Sequence, residues 1–317
     1  MKLGLFTACL PHLALNHVAA WAGSAGYDAL EVAAWPQGSP HPHQATHLNV
    51  HHLSDAHVTH VQELLIEHGL SLSAISCYEN NLHRDDAERE RIHRHLRACV
   101  DAAASLDVPC VGTFIGRDVS LPVADNLKLA ERYLPPLVDY AAERGVRIVI
   151  ENCPMEGWHP DGYPGNLAYS PELWDWMFDL GLYLNYDPSH LLWLGIDPLD
   201  ALKSCLDQNK ILHVQAKDIE IDEKQRTRYG IFGKTVTRAT PEDVGWWRYR
   251  TPGRGQLNWN HLIDTLYAGG FDGTVAVEHE DPVWSGSDEK IKQGLTIAAD
   301  TLRPLILGTI DNTAQPS

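Results

Sequence analysis

Short apolar runs alternate with longer amphipathic stretches from one end of the chain to the other. The runs at residues 3–7, 29–32, 72–76, 110–114, 147–151, 183–187, 212–216 and 274–278 are mostly apolar in consecutive positions, as parallel strands buried on both faces require. Between them apolar residues recur at helical spacing. Ser54 caps a run through Val58, Val61, Leu64 and Leu65 that stops at Gly69. Ser170-Pro171-Glu172 and Asp197-Pro198 each put proline into a first helical turn. Further helices are predicted at 17–25, 88–106, 125–144, 259–269 and 287–302. About eight such βα units in succession predict an α/β fold, a (β/α)8 TIM barrel.

No Ser/Gly-rich linker or low-complexity tract divides the sequence, so residues 1–317 are expected to form one domain. Two connections are long, 34–53 after the second strand and 218–258 after the seventh. Structureless loops beyond about 12–15 residues are usually functional or disordered. The second one carries Tyr229, Trp246, Trp247 and Tyr249 among Arg226, Arg228, Arg248, Arg250 and Arg254. So many aromatics predict a folded insertion, a lid over the barrel mouth or a contact with another subunit of a homo-oligomer.

Charge narrows the partners. Twenty-five Lys and Arg stand against 42 Asp and Glu, a formal net charge of −17 with His neutral. A phosphate backbone or an anionic membrane would meet a repulsive field, so neither nucleic acid nor membrane is expected as a partner. The apolar stretches are short and the first residues run into a turn rather than a signal core, which predicts a soluble, cytoplasmic protein. The six cysteines, Cys9, Cys77, Cys99, Cys110, Cys153 and Cys205, form no C-x-x-C pair and suit free buried thiols in a reducing compartment.

In a βα barrel the C-terminal strand ends converge on one mouth. Four consecutive predicted strands end there in polar groups: Ile150-Glu151-Asn152, Tyr186-Asp187-Pro188-Ser189-His190, His213-Val214-Gln215-Ala216-Lys217-Asp218 and Val277-Glu278-His279-Glu280. Carboxylates crowded at such a mouth need a cation to offset desolvation and repulsion. Glu151, Asp187 and Glu278 with Gln215 are therefore candidate ligands of one divalent metal, and this oxygen-rich set favours Mn2+ or Mg2+ over a thiolate-type zinc site. Each acid alone would more simply cap or salt-bridge a loop. His213 shares a strand face with Gln215 and is a ligand or substrate candidate, a buried hydrogen-bonded histidine being the plainer reading. Lys217 continues that face and could polarise a substrate oxygen or pair with Asp218. His190 is a candidate for metal or substrate contact, and Trp158, in a loop with His159, Asp161, Gly162 and Tyr163, could stack on a sugar. His41, His43, His47, His51 and His52 crowd one loop without strand-end placement, which marks them as loop decoration. No Walker loop or G-x-G-x-x-G follows the first strand, so nucleotide binding is unsupported.

The segments Phe114-Ile115-Gly116-Arg117-Asp118, Ile150-Glu151-Asn152-Cys153-Pro154, Asp187-Pro188-Ser189-His190, 213–218, Pro252-Gly253-Arg254-Gly255 and Val277-Glu278-His279-Glu280-Asp281-Pro282, in this order and placement, resemble the xylose-isomerase-like sugar phosphate isomerase/epimerase superfamily, also called the AP-endonuclease-2-like TIM barrels. The resemblance implies a divalent metal held by Glu151, Asp187, the residue at Gln215 and Glu278, with Glu151 and Glu278 also flanking the substrate. Many relatives have His where Gln215 stands, and some hydroxypyruvate-isomerase-like members have Gln. One branch cleaves abasic DNA with a multi-zinc histidine site; the carboxylate mouth and the negative charge of this chain point away from it.

The expected function is thus a metal-dependent isomerase or epimerase of a small carbohydrate, removing a proton next to a carbonyl through an enediolate, with Glu151 and Glu278 as base and acid. Lys217 and His190 are the further catalytic candidates, and His190, His213, Trp158 and Arg254 the substrate contacts. A dehydratase or β-eliminating lyase on a keto-sugar or 3-keto-glycoside would use the same first half-reaction. A non-catalytic barrel in a subunit complex is the alternative from another class.

Overall fold

The computed structural model describes residues 1–37, 45–160, 162–239 and 243–306. Eight parallel strands close into a barrel in the order β1 (Lys2–Phe6), β2 (Ala29–Ala33), β3 (Ser71–Asn80), β4 (Cys110–Phe114), β5 (Arg147–Glu151), β6 (Tyr183–Tyr186), β7 (Ile211–Ala216) and β10 (Thr274–Val277), which returns to β1. Between β7 and β10 the chain adds an antiparallel hairpin, β8 (Asp218–Ile221) with β9 (Trp247–Arg250). The barrel strands are almost wholly buried, because helices cover their outer face and side chains fill the inner one.

The helices start where side chains can take up their free N–H groups. Ser54 and His57 form a reciprocal capping box for Asp55–Glu67. Asp197 accepts from two first-turn amides of Pro198–Asp207, and Pro171 opens Pro171–Asp179. The single helix expected at 125–144 is two, Val123–Tyr133 and Pro135–Ala142. Pro135 and Pro136 lack the N–H groups a continuous helix would use, and the chain restarts with proline at the first helical position.

Irregularities in register tune what points inward. β7 bulges between its pairings to Leu184 and Asn185, which turns His213, Gln215 and Lys217 to the barrel axis. β3 is likewise irregular after its pairing to Leu30. Gly112 on β4 lets Tyr78 enter the axis, since a Cβ there would stand 2.4 Å from Ser76 Oγ and 2.8 Å from the Tyr78 hydroxyl. The barrel interior is therefore stacked: Ala74, Cys110 and Val149 lie together near the N-terminal end, polar residues lie above them, and the acidic mouth lies on top.

Candidate active site

The mouth assembles from four strand ends. Glu151 closes β5, Asp187 follows β6, Lys217 follows β7 and Glu278 follows β10. Asn152 ties the first two ends together: its side chain donates to Asp187 O at 2.8 Å and accepts from Asp187 N at 2.7 Å. Asp187 Oδ1 accepts from Ser189 N at 2.8 Å. Its Oδ2 is turned inward, in ion-pair contact with Lys217 (3.1 Å) and His190 (3.2 Å) but with no well-formed hydrogen bond. One oxygen each of Glu151, Asp187 and Glu278 lies within 4.8 Å of the others.

Two cations sit inside this acidic ring. Lys217, only 2 % exposed, donates to Glu278 at 2.8 Å and lies 3.1 Å from both Asp187 and Glu280 and 4.0 Å from Glu151. His190 Nε2 lies 3.0 Å from Glu151. Burial works against charge on Lys217, yet Glu278, Glu280 and Asp187 hold it well above its ordinary range. Burial likewise opposes charge on His190, but the groups around it, including Asp187, raise it well above the usual imidazole value. The carboxylates separate in the opposite sense. Burial alone would raise Asp187, but Lys217 and His190 outweigh it and bring this carboxyl down to about 2. Glu278 and Glu151 are raised, chiefly by burial, Glu278 well above the carboxylate range.

The insertion reaches into the same place. Tyr249 on β9 puts its hydroxyl 2.9 Å from His190 Nδ1, and Lys217 Nζ lies 4.5 Å from its ring centre. Ile219, Ile221, Val244, Trp246 and Trp247 form a small apolar cluster against Leu192 and Trp193, and Trp247 stacks on Trp193 at 4.9 Å and 18°. Asp218, one of two alternative partners the sequence offered Lys217, instead anchors the insertion. Its carboxylate accepts from Ile219 N, Gly253 N, Leu257 N and Trp259 Nε1. A Cβ at Gly255 would stand 2.2 Å from Asp218 Oδ1, so glycine is what lets this turn close.

Some sequence candidates lie elsewhere. His213, expected at the substrate, is one layer down, its ring nitrogens 3.0 Å from Asn185 Oδ1 and 3.0 Å from Ser73 Oγ; both are committed inside the barrel. Arg254 is exposed on its turn, and it is Arg250 that turns inward, pairing with Asp281 at 3.0 Å and with Glu220. Trp158 is half-buried and meets Phe114 edge-on at 5.5 Å. His47 binds Leu10 O and His51 binds His95, while His41, His43 and Asp161 lie outside the described residues. The residues to which the sequence assigned no role are Tyr249, Glu280, Tyr78 and Glu31. Tyr249 carried a signal as an aromatic in a long insertion and Glu280 as part of a polar strand end, while Tyr78 and Glu31 carried none.

Gln215 Oε1 is fully buried and has no hydrogen-bond partner. The clustered Glu151, Asp187 and Glu278 oxygens are of the hard type a divalent cation takes, and this orphaned amide oxygen is of the same type. Lys217 holds part of that set, so an ion there would compete with its ammonium for the same oxygens.

A closed parallel barrel thus gathers buried acids and two cations at its C-terminal mouth, the end where such barrels carry their functional groups. The chain belongs to the Xylose isomerase-like TIM barrel family, which matches residues 19–301. It is 28 % identical over 307 residues to the uncharacterized protein YfiH of Bacillus subtilis (strain 168), covering 89 % of this chain and 93 % of that one. Among solved structures it shares its fold with the IolI protein with a binding zinc atom (TM-score 0.70, 18 % identity, 97 % of this chain and 100 % of that one). A D-psicose 3-epimerase in the presence of D-fructose matches at 0.67 and 16 %, over 97 % and 100 % of the two chains. The probable 3-DHS dehydratase AsbF from Bacillus anthracis matches at 0.67 and 16 %, over 96 % and 99 %. Among the described residues no helix is long and apolar enough to cross a membrane.

Proposed function

We propose that this chain is a metal-assisted isomerase or epimerase of a sugar-like substrate, which begins by taking a proton from the carbon next to a carbonyl. The observation that carries this reading is the convergence of Glu151, Asp187 and Glu278, with ligand oxygens within 4.8 Å, around buried Lys217 and His190. A divalent ion held by Glu151, Asp187, Gln215 and Glu278 would supply a Lewis acid for the substrate oxygens.

Glu151 and Glu278 are the proton carriers, one taking the α-proton and the other returning it. His190 orients Glu151 through its 3.0 Å contact. Lys217 offers a buried ammonium to the oxygen that gains charge in the enediolate, where a preorganised cation costs no reorganisation. Tyr249 closes the mouth over both cations and excludes water from the reacting carbon. Return of the proton to the same carbon gives an epimer, and to its neighbour an isomer. Loss of a β-hydroxyl or aglycone instead would make the enzyme a lyase.

Incubation in D2O with a panel of ketoses, inososes and 3-keto-glycosides, with and without Mn2+ or Mg2+, tests the reading. Deuterium should enter one α-position, and Glu151→Gln or Glu278→Gln should abolish its entry while melting temperature and ion occupancy are measured alongside. Near-normal exchange in either variant would remove that residue from proton transfer, and no exchange with any substrate would sink the proposal.

A further inference from the structure

Glu31 is fully buried on β2, one layer beneath the mouth, and takes no part in the chemistry above. Tyr78 donates its hydroxyl proton to Glu31 Oε1 at 2.6 Å, and Gln215 Nε2 lies 3.2 Å from both Glu31 oxygens. Because the Tyr78 proton is spent on Glu31, its oxygen accepts: from Gln215 Nε2 at 3.1 Å and from Asn185 Nδ2 at 2.8 Å. Every partner on this side of the Gln215 amide therefore demands a donor, since a carboxylate only accepts. Flipping the amide would set Oε1 against two carboxylate oxygens. The nitrogen is pinned to Glu31, and the oxygen is left buried and unpartnered on the other side. Leaving such a group unpaired is costly, and a ligand on that side would offset the cost.

We infer that Glu31 is the positioning residue that makes Gln215 present its oxygen, rather than its nitrogen, to a divalent ion at the mouth. This rests on the ion of the proposed function. Glu31 stands behind Gln215 as outer carboxylates stand behind ligating histidines, fixing which atom faces the ion. An imidazole at position 215 could use the same support, giving one ring N–H to Glu31 and turning its other nitrogen to the ion.

The test has two readouts on the full chain. In calorimetric titration of the metal-free protein with Mn2+ alone, Glu31→Gln should weaken binding about 10–100-fold, because a glutamine at 31 can donate and so permits the flip. Gln215→Leu should weaken it similarly, and the double variant should be no weaker than Gln215→Leu, since Glu31 acts through Gln215. Gln215→His should bind Mn2+ well only while Glu31 is present. The second readout needs no ion: in metal-free protein labelled with 15N-glutamine, Glu31→Gln should move the side-chain amide signal assigned by its loss in Gln215→Leu. Wild-type Mn2+ affinity in Glu31→Gln, or an unmoved amide signal, would overturn the inference. If wild type binds no Mn2+ but the amide signal moves, the ion reading fails and the orienting role of Glu31 stands. Should Glu31→Gln not fold, Glu31→Asp withdraws the carboxylate by one methylene and should give the same amide displacement with a smaller loss of affinity.

Discussion

Replacing Lys217 by methionine keeps an unbranched chain of similar shape in the barrel axis, with sulfur in place of one methylene, and removes the ammonium. That ammonium lies 2.8 Å from Glu278 and 3.1 Å from Asp187 and Glu280. At an effective dielectric of about 20, each contact near 3 Å is worth about 5 kcal/mol before desolvation is subtracted. Most of this offsets the cost of burying the charges. Removing one partner of a buried ion pair leaves a net loss of about 3–5 kcal/mol, which for a chain of this size lowers the melting temperature by roughly 4–8 °C. The vacated centre is ringed by oxygens, so Lys217→Met should bind Mn2+ more tightly than wild type. At a hundredfold excess over Kd the ion returns about 2.7 kcal/mol. The assay is a pair of thermal melts, in EDTA and across a Mn2+ series, with calorimetry on both proteins. A variant that melts with wild type in EDTA would show that Lys217 does not hold the acids together. Unchanged Mn2+ affinity would show that ion and ammonium do not compete.

The hairpin should be separable from the barrel: Trp246→Ala with Trp247→Ala removes its packing on Leu192 and Trp193, and should raise KM or alter the sedimentation profile while far-ultraviolet dichroism keeps the barrel signal. Neither change would show that the hairpin is not what seats Tyr249. Burial pushes the Cys99 thiol from 9.0 up to about 12. Between those values the folded state holds a proton the unfolded chain has lost, so stability falls as pH rises through this window, by about 1.4 kcal/mol per pH unit for this one thiol. Cys99→Ala should flatten the decline of unfolding free energy above pH 9 by that amount, and an identical slope in both proteins would contradict it.

The barrel strands were legible because strands buried on both faces leave unbroken apolar runs, and every predicted run overlaps an observed strand. The hairpin was not, although Asp218-Ile219-Glu220-Ile221 and Trp247-Arg248-Tyr249-Arg250 alternate with the two-residue period of a half-buried strand, because each run is very short and the two lie far apart in one long connection. Their apolar side is covered only once the helix Ser189–Trp193 is in place beneath them. The acidic strand ends were legible once the barrel was, since fold geometry alone sends them to one mouth. Glu31 was not. A lone acid in Ala29-Leu30-Glu31-Val32-Ala33 says nothing about a tyrosine 47 positions away and a glutamine 184 away that together complete its hydrogen bonds. His213 follows its plainer reading, a buried hydrogen-bonded histidine, and the choice was open in the sequence because alternation gives the face of a side chain and not its depth along the axis.

That depth has a consequence for how this protein can vary. β7 delivers three successive inward residues to three levels: His213 to Ser73 and Asn185, Gln215 to Glu31, and Lys217 to the acids. One residue inserted or deleted at the start of β7 would turn Val214 and Ala216 inward instead and disturb all three levels at once. An insertion of any modest length at the tip of the hairpin would leave them untouched. Heritable change in this chain should therefore accumulate as length variation beyond Asp218 and as side-chain exchange, but not length change, within six residues of β7.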